Sequence, residues 1–292
     1  KARGGRLVRT AGRPMIWPWL RGRLRARAYL PEHLPDYVRA VTGGGAGLVD
    51  GHLWYDRGDT LVLVGYPLDG NFDTARLADA VRRALLYHRP VYLSLIAPEL
   101  PALPFELLDS GSDRYFRLDL AAHAVNQKTR NMISRSSREL RLAAVRRLGP
   151  EHRALIASFL ERTGADGAMR RVYEAMHGYV ERAGGPLVLE ARDAAGRLEA
   201  FDVADIDRGE YAFYMFNVRS GGAGIPGASD LLLHELLKRA RAAGARYVNL
   251  GLGVNSGIEF FKRKWGGLPF MRHEYGLYDA GGGPLIDRIY GR

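Results

Sequence analysis

Twice along this chain the same succession occurs: a strand hairpin, an amphipathic helix, then a buried strand. In the first half, residues 51–55 and 60–66 read as strands around the turn Asp56-Arg57-Gly58-Asp59. Residues 73–88 then carry apolar side chains at helical spacing, and 91–96 form an apolar run of strand length. In the second half, strands at 198–205 and 211–218 precede a helix at 229–243 and a strand at 246–250. Helices and strands in this alternation bury their apolar faces by packing helices on a sheet, so the expected class is α/β (α+β) with an internal duplication. The remaining segments fill in around this frame. Helices are expected at 31–41, 150–163, 169–183 and 256–265, and strands at 115–120, 186–191 and 270–278, while 97–113 is rich in proline and leucine. Ser229 and Ser256 are expected helix N-caps and Gly244 a C′ residue. The segmentation that follows is a basic arm at 1–28, a first domain at 29–125, a basic helical connector at 126–148 and a second domain at 149–292.

The net charge of +11 is unevenly placed. Nine basic residues, from Lys1 to Arg27, precede the first acid, Glu32. A second group, Lys128, Arg130, Arg135, Arg138, Arg141, Arg146 and Arg147, is interrupted only by Glu139. The rest of the chain is net acidic, so a polyanionic partner, RNA or lipid, would meet one of these two stretches. In the arm, glycines and prolines interrupt any helical period, and Trp17 and Trp19 among arginines suit a headgroup interface. An anionic membrane surface is the partner expected there, and tRNA is a further candidate for the connector.

The chain contains no cysteine, which excludes disulfides, thiolate metal sites and cysteine nucleophiles. Its eight histidines form no i, i+4 pair, so no metal site is expected. No apolar run approaches the length of about 18 to 20 residues that spans a bilayer. The expected setting is cytoplasmic, peripheral to the inner face of a membrane, or as a soluble fragment of a longer membrane protein, since the chain opens on Lys1.

Two glycine patterns point to specific chemistry and are set aside. Gly251-Leu-Gly253-Val-Asn-Ser256 has serine where a dinucleotide fingerprint needs its third glycine, and too little chain follows for a dinucleotide-binding sheet. Gly253-Val-Asn-Ser256-Gly257 misses the spacing of a nucleophile elbow by one residue.

The order of the second half, with Arg219-Ser-Gly-Gly222-Ala-Gly224 directly after a strand, resembles the GNAT acyltransferase fold. That resemblance implies two GNAT-like domains, each a central mixed, mostly antiparallel sheet flanked by helices. In GNAT enzymes such a loop and the helix N-terminus after it hold the donor pyrophosphate. Here that assigns Arg219, Gly222, Gly224, Gly227 and Ser229 to donor binding, although Ile225-Pro226-Gly227-Ala228 lengthen the loop. Aligned on Asn255 and Gly266, the tyrosine that protonates a departing thiolate in that family falls on Lys262, a residue suited to stabilising an oxyanion or a charged leaving group.

Phe261-Lys262-Arg263-Lys264-Trp265-Gly266-Gly267, Tyr247-Val-Asn249-Leu-Gly251 and the connector's Lys128-Thr-Arg130-Asn-Met-Ile-Ser-Arg135 resemble Fem-type aminoacyltransferases and the catalytic domain of lysylphosphatidylglycerol synthases. The likeness spans residues 115–278. It implies an acyl or aminoacyl transferase with no tightly bound cofactor. The donor is aminoacyl-tRNA, or alternatively an acyl-CoA or acyl-carrier thioester, and the acceptor is an amine or hydroxyl on an anionic lipid, a peptide or a small molecule. Lys262 takes the charge role, Asn217 and Asn255 position the reactants, and Lys264 contacts the donor. Lys128, Arg130, Arg135 and Arg138 form the polyanion surface. Asp202 is the leading general base, with Asp205 and Glu190 as further candidates. Outside enzymes, the alternative is a non-catalytic module holding nucleic acid or membrane.

Overall fold

The computed structural model describes residues 18–181, 185–206, 209–222 and 224–281. Residues 1–17 of the basic arm, Ala183 at the end of an expected helix and Ala223 of the glycine loop lie outside the described residues.

The first half opens with a helix, α1 (Pro18–Arg27), a 3-10 turn at Pro31–His33 and a second helix, α2 (Pro35–Thr42). A meander of β1 (Ala46–Val49), β2 (His52–Arg57) and β3 (Thr60–Val64) follows. Helix α3 (Thr74–His88) then crosses over to β4 (Tyr92–Ala97), which runs parallel to β3. Asp73 starts α3 by accepting the Arg76 N–H at 2.6 Å, one of the donors a helix leaves unpaired at its first turn. A long strand, β5 (Glu106–Asp119), leads to helix α4 (Gln127–Glu139), capped by Asn126, and to the edge strand β6 (Arg141–Val145).

The second half begins with α5 (Pro150–Arg162) and α6 (Gly167–Val180) and continues as the antiparallel run β7 (Leu187–Arg192), β8 (Leu198–Asp205) and β9 (Tyr211–Arg219). Helix α7 (Ala228–Ala242) crosses to β10 (Tyr247–Leu252), parallel to β9. Helix α8 (Ser256–Lys264) and the strand β11 (Leu268–Asp279) complete the described chain.

Among the described residues all strands join one mixed sheet of eleven, in the order β1-β2-β3-β4-β11-β5-β10-β9-β8-β7-β6. Only β3 with β4 and β9 with β10 are parallel, each joined by a helical crossover, so each half contributes one strand-helix-strand unit. The last strand of each half is exchanged: β11 pairs with β4, β5 pairs with β10, and the two exchanged strands pair with each other at the centre. Helix α7 packs Leu232, Leu233, Leu236 and Leu237 on one face of the second half, while Ile156, Leu160, Met176 and Tyr179 of α5 and α6 cover the other. In the first half α3 takes one face, and Leu24, Leu30 and Val38 take the other. Among the described residues no helix is long and apolar enough to cross a membrane.

The structure differs from sequence expectation at several places, each for a physical reason. The basic arm, expected to be irregular to residue 28, becomes helical from Pro18, because a proline at the first helical position loses no intrahelical bond. That helix is anchored by buried Leu24 and Ala28 and by Arg25, which donates to Asp205 at 2.9 Å. The connector is helical only to Glu139, and β6 follows. As a largely exposed edge strand, Arg141-Leu-Ala-Ala-Val145, it shows no alternation of apolar and polar residues. Strand β5 begins at Glu106, nine residues before the expected start, since its outer part is exposed and held by β11 alone. The N-cap of α7 is Gly227 in left-handed conformation (φ +85°) and that of α8 is Asn255, not the expected Ser229 and Ser256.

Candidate active site

The sheet divides between β9 and β10. The two strands pair only at Tyr211–Tyr247, Ala212–Val248 and Phe213–Asn249, after which β9 stays with β8 as far as Arg219 and β10 stays with β5 as far as Leu252. Beyond Phe213 no strand among the described residues pairs with the β10-facing edge of β9, which borders a cleft of about 840 Å³. The start of α7 and one side of α8, with Ile258, Phe261 and Lys262, close the other sides. Carboxyl ends of parallel strands that part in this way are where open α/β sheets bind ligands.

Asn249 is the last residue of β10 paired with β9 and stands where the strands part. Fully buried, it accepts the Gly251 N–H at 2.7 Å and donates to the Tyr29 carbonyl at 2.8 Å, holding a bulge in which Gly251 has φ +77°. The sequence marked this residue only through its motif; a buried polar residue within an apolar strand was the available signal.

Lys262 lies on the cleft wall, 4 % exposed, and donates to the Leu252 carbonyl at the end of β10. Burial pushes its pKa down to about 8, against the opposing pull of Asp113 and Glu259. Its ammonium is 5.8 Å from the Phe116 ring centre, a cation–π separation. A desolvated amine titrating near neutrality is rare away from functional sites.

Asn217, Asn255 and Ser229 line the same cleft. The Ser229 hydroxyl donates to Asn217 Oδ1 at 2.9 Å, and Asn217 Nδ2 donates to Asp202 Oδ1 at 2.6 Å. Asn255 spends its side-chain oxygen on the Ile258 N–H at 3.0 Å, so its role there is capping. The preceding residue, Val254, takes φ +60°, a conformation that β-branched side chains avoid. It is held there by Asp113, whose carboxylate accepts from Gly253 N–H at 3.1 Å and Val254 N–H at 2.9 Å.

The expected general bases do not reach the cleft. Asp202 is fully buried behind Asn217 and is not a lining residue. Burial raises its pKa well above the carboxylate range, and its Oδ2, near the Tyr214 hydroxyl, closes no well-formed hydrogen bond. Asp205 is committed to Arg25 and to the Tyr179 hydroxyl at 3.1 Å, and Glu190 to Arg192 at 2.7 Å and His152 at 3.0 Å. Both are structural anchors.

The donor-side residues divide. Arg219, Gly222, Gly224, Gly227 and Ser229 line the cleft, with the Arg219 carbonyl tied to Arg162 at 3.0 Å. Lys264 does not line it. Its ammonium is 2.6 Å and 2.8 Å from the carboxylate oxygens of Asp230, which also accepts the Trp265 indole N–H at 2.8 Å. The first turn of α7 thus carries its own carboxylate, with the nearby cation already engaged.

On α4, Lys128, Arg130, Arg135 and Arg138 are all exposed. Arg130 donates to the Val125 carbonyl and to Gln127, and Arg135 approaches Glu139 at 3.8 Å, while Lys128 and Arg138 make no ion pair among the described residues.

No protein-family model matches this sequence, and no curated protein sequence matches it. Solved structures do share its fold. The C-terminal domain of a provisionally assigned lysylphosphatidylglycerol synthetase from Agrobacterium fabrum covers 92% of this chain and 92% of its own, at 16% identity and a TM-score of 0.57. L-PGS from Bacillus licheniformis covers 87% of this chain and 89% of its own, at 14% identity and a TM-score of 0.53. FemX covers 76% and 83%, at 9% identity and a TM-score of 0.51. The resemblance read from the sequence is therefore matched in fold.

Proposed function

We propose that this chain is an acyltransferase and that the cleft between β9 and β10 holds an activated carbonyl, with an aminoacyl ester as the preferred donor. The observation that carries this reading is Lys262: a buried cation on the wall of an open cleft, one hydrogen bond from the end of a parted strand. An amine or hydroxyl of the acceptor attacks the carbonyl carbon and the electron pair moves to oxygen. The Lys262 ammonium stabilises that charge; collapse breaks the ester carbon–oxygen bond and expels an alkoxide, to which the ammonium gives a proton. The attacking nitrogen or oxygen releases its own proton to a base or to water, and Lys262 is reprotonated from solvent. With its pKa near 8, Lys262 is mostly charged at neutral pH yet able to give up its proton. Among the described residues two carboxylates line the cleft: Asp230 is held by Lys264 and Trp265, whereas Glu199 accepts only the Ser220 hydroxyl, at 2.7 Å. Glu199 is therefore the candidate to take the acceptor's proton, with water as the alternative.

The fold shared with a lysylphosphatidylglycerol synthetase domain and with FemX supports aminoacyl chemistry on a lipid or peptide acceptor. The exposed cations of α4 are the surface proposed for the phosphates of RNA or lipid. A thioester donor is the second reading, favoured by the glycine loop that shares the cleft with Lys262. Against it, the first turn of α7 already presents the Asp230 carboxylate where a pyrophosphate would bind. The test is transfer from charged tRNA and from acyl-CoA thioesters, each with wild type and Lys262→Met. Transfer from the ester that falls at least a hundredfold in the variant is expected. Transfer from thioester alone overturns the donor, and unchanged turnover in the variant overturns the site.

A further inference from the structure

Among the described residues three large apolar side chains that line the cleft are exposed: Phe260 is 71 % exposed, Val254 59 % and Ile258 37 %. Folding gains nothing from leaving them in water, and a cleft for a small soluble acceptor needs no apolar rim outside it. Two contacts tie the basic helix α4 to the two helices that bound the cleft. Asn126, its N-cap, donates to the Lys264 carbonyl at the end of α8 at 3.4 Å. Met132, nearly two helical turns later, packs so closely on Gly227 at the start of α7 that an added Cβ there would lie 2.7 Å from the Met132 Cγ. Lys128 and Arg135 lie one turn to either side of Met132 and are exposed.

We propose that the cleft mouth is a membrane-docking face: Val254, Ile258 and Phe260 enter the interface of an anionic bilayer while Lys128 and Arg135 meet the lipid phosphates. Apolar side chains flanked by lysine and arginine are the pattern of surfaces that lie in a headgroup layer. An RNA would satisfy the cations and could stack on Phe260, but aliphatic Val254 and Ile258 gain nothing from it. A bilayer satisfies both sets at once. The inference rests on the acyltransferase reading only in that the same cleft would then receive its acceptor from the lipid side.

Because the chain has no cysteine, Phe260→Cys carrying an environment-sensitive dye reports on that one position. The full chain is mixed with vesicles of phosphatidylcholine containing phosphatidylglycerol, with pure phosphatidylcholine vesicles, and with a single-stranded RNA. A blue shift with anionic vesicles is expected, weakening with salt. No shift is expected from the same dye at Tyr87→Cys, 70 % exposed on α3, which packs on the other half of the sheet. Lys128→Gln with Arg135→Gln should weaken vesicle binding about twentyfold, and Phe260→Ser with Ile258→Ser at least tenfold. Lys262→Met should leave the dye response unchanged. A protein that docks but transfers nothing therefore retains this inference and loses the previous one. No shift at position 260, vesicle binding insensitive to both pairs of substitutions, or a response to RNA alone would overturn it.

Discussion

Replacing Lys262 by methionine removes a charge from a buried site while keeping a straight side chain of similar reach. In the folded chain the amine titrates near 8 instead of 10.5 because burial disfavours its charged form. That difference corresponds to about 3 kcal/mol, carried by the wild type as a cost wherever the amine is protonated in both states. Between about pH 8 and 10.5 the unfolded chain still holds a proton that the folded chain has released, so wild-type stability rises with pH through this window. The variant lacks the group and shows no such rise. Loss of the hydrogen bond to the Leu252 carbonyl adds an offset of about 1–3 kcal/mol to the variant, but that offset does not depend on pH. The measurable quantity is therefore the change in the stability difference between the two proteins. Urea denaturation from pH 7 to 11 should show wild type gaining about 3 kcal/mol on Lys262→Met. Titrations common to both proteins cancel in the comparison. A difference that stays flat to within about 1 kcal/mol would mean that Lys262 is solvated, and the charge role assigned to it would fall.

Asp202→Asn should raise stability at neutral pH by about 1 kcal/mol or more. The folded chain keeps on Asp202 a proton that the unfolded chain releases above about pH 4, so the advantage should open as pH rises from there; an advantage already complete at pH 3 would contradict it. Gly227→Ala places a side chain at φ +85° and against Met132, and its denaturation midpoint should report a loss of about 1–3 kcal/mol. Adding Met132→Ala should recover the steric share; a lone Gly227→Ala as stable as wild type would refute the close packing of α4 on α7. Val254→Gly should gain about 1 kcal/mol in thermal melting by releasing the strain at φ +60°, and a loss of stability would show that the loop is not strained.

Much of the fold is legible wherever a segment's own surroundings repeat along it. Strand β8 has its expected limits, and α3, α5 and β9 differ from expectation by a residue at an end, because buried apolar side chains at a regular period leave a local record. Strands β1 and β6 and the outer part of β5 leave no such record. Their exposure or edge position removes the alternation, and only a partner strand makes them strands. The exchange of β5 and β11 pairs residues more than 150 positions apart, such as Arg117 with Leu268, which no local pattern encodes.

The site divides along the same line. The sequence by itself determined that lysines would stand on a short helix after the last parallel strand, with a glycine loop and a cationic helix elsewhere in the chain. It assigned the charge role to Lys262 and donor contact to Lys264, but could not show which of the two faces the cleft. Two residues along a helix turn the side chain by about 200°, so one lysine is buried against the cleft and the other is bound to Asp230. It also could not show that Asp202 would be shut behind Asn217 or that α4 would be tied to the two helices that bound the cleft. Those outcomes follow from where β9 and β10 part, and that parting is set by pairing with β8 and β5, strands that reach the cleft only once the whole sheet has assembled.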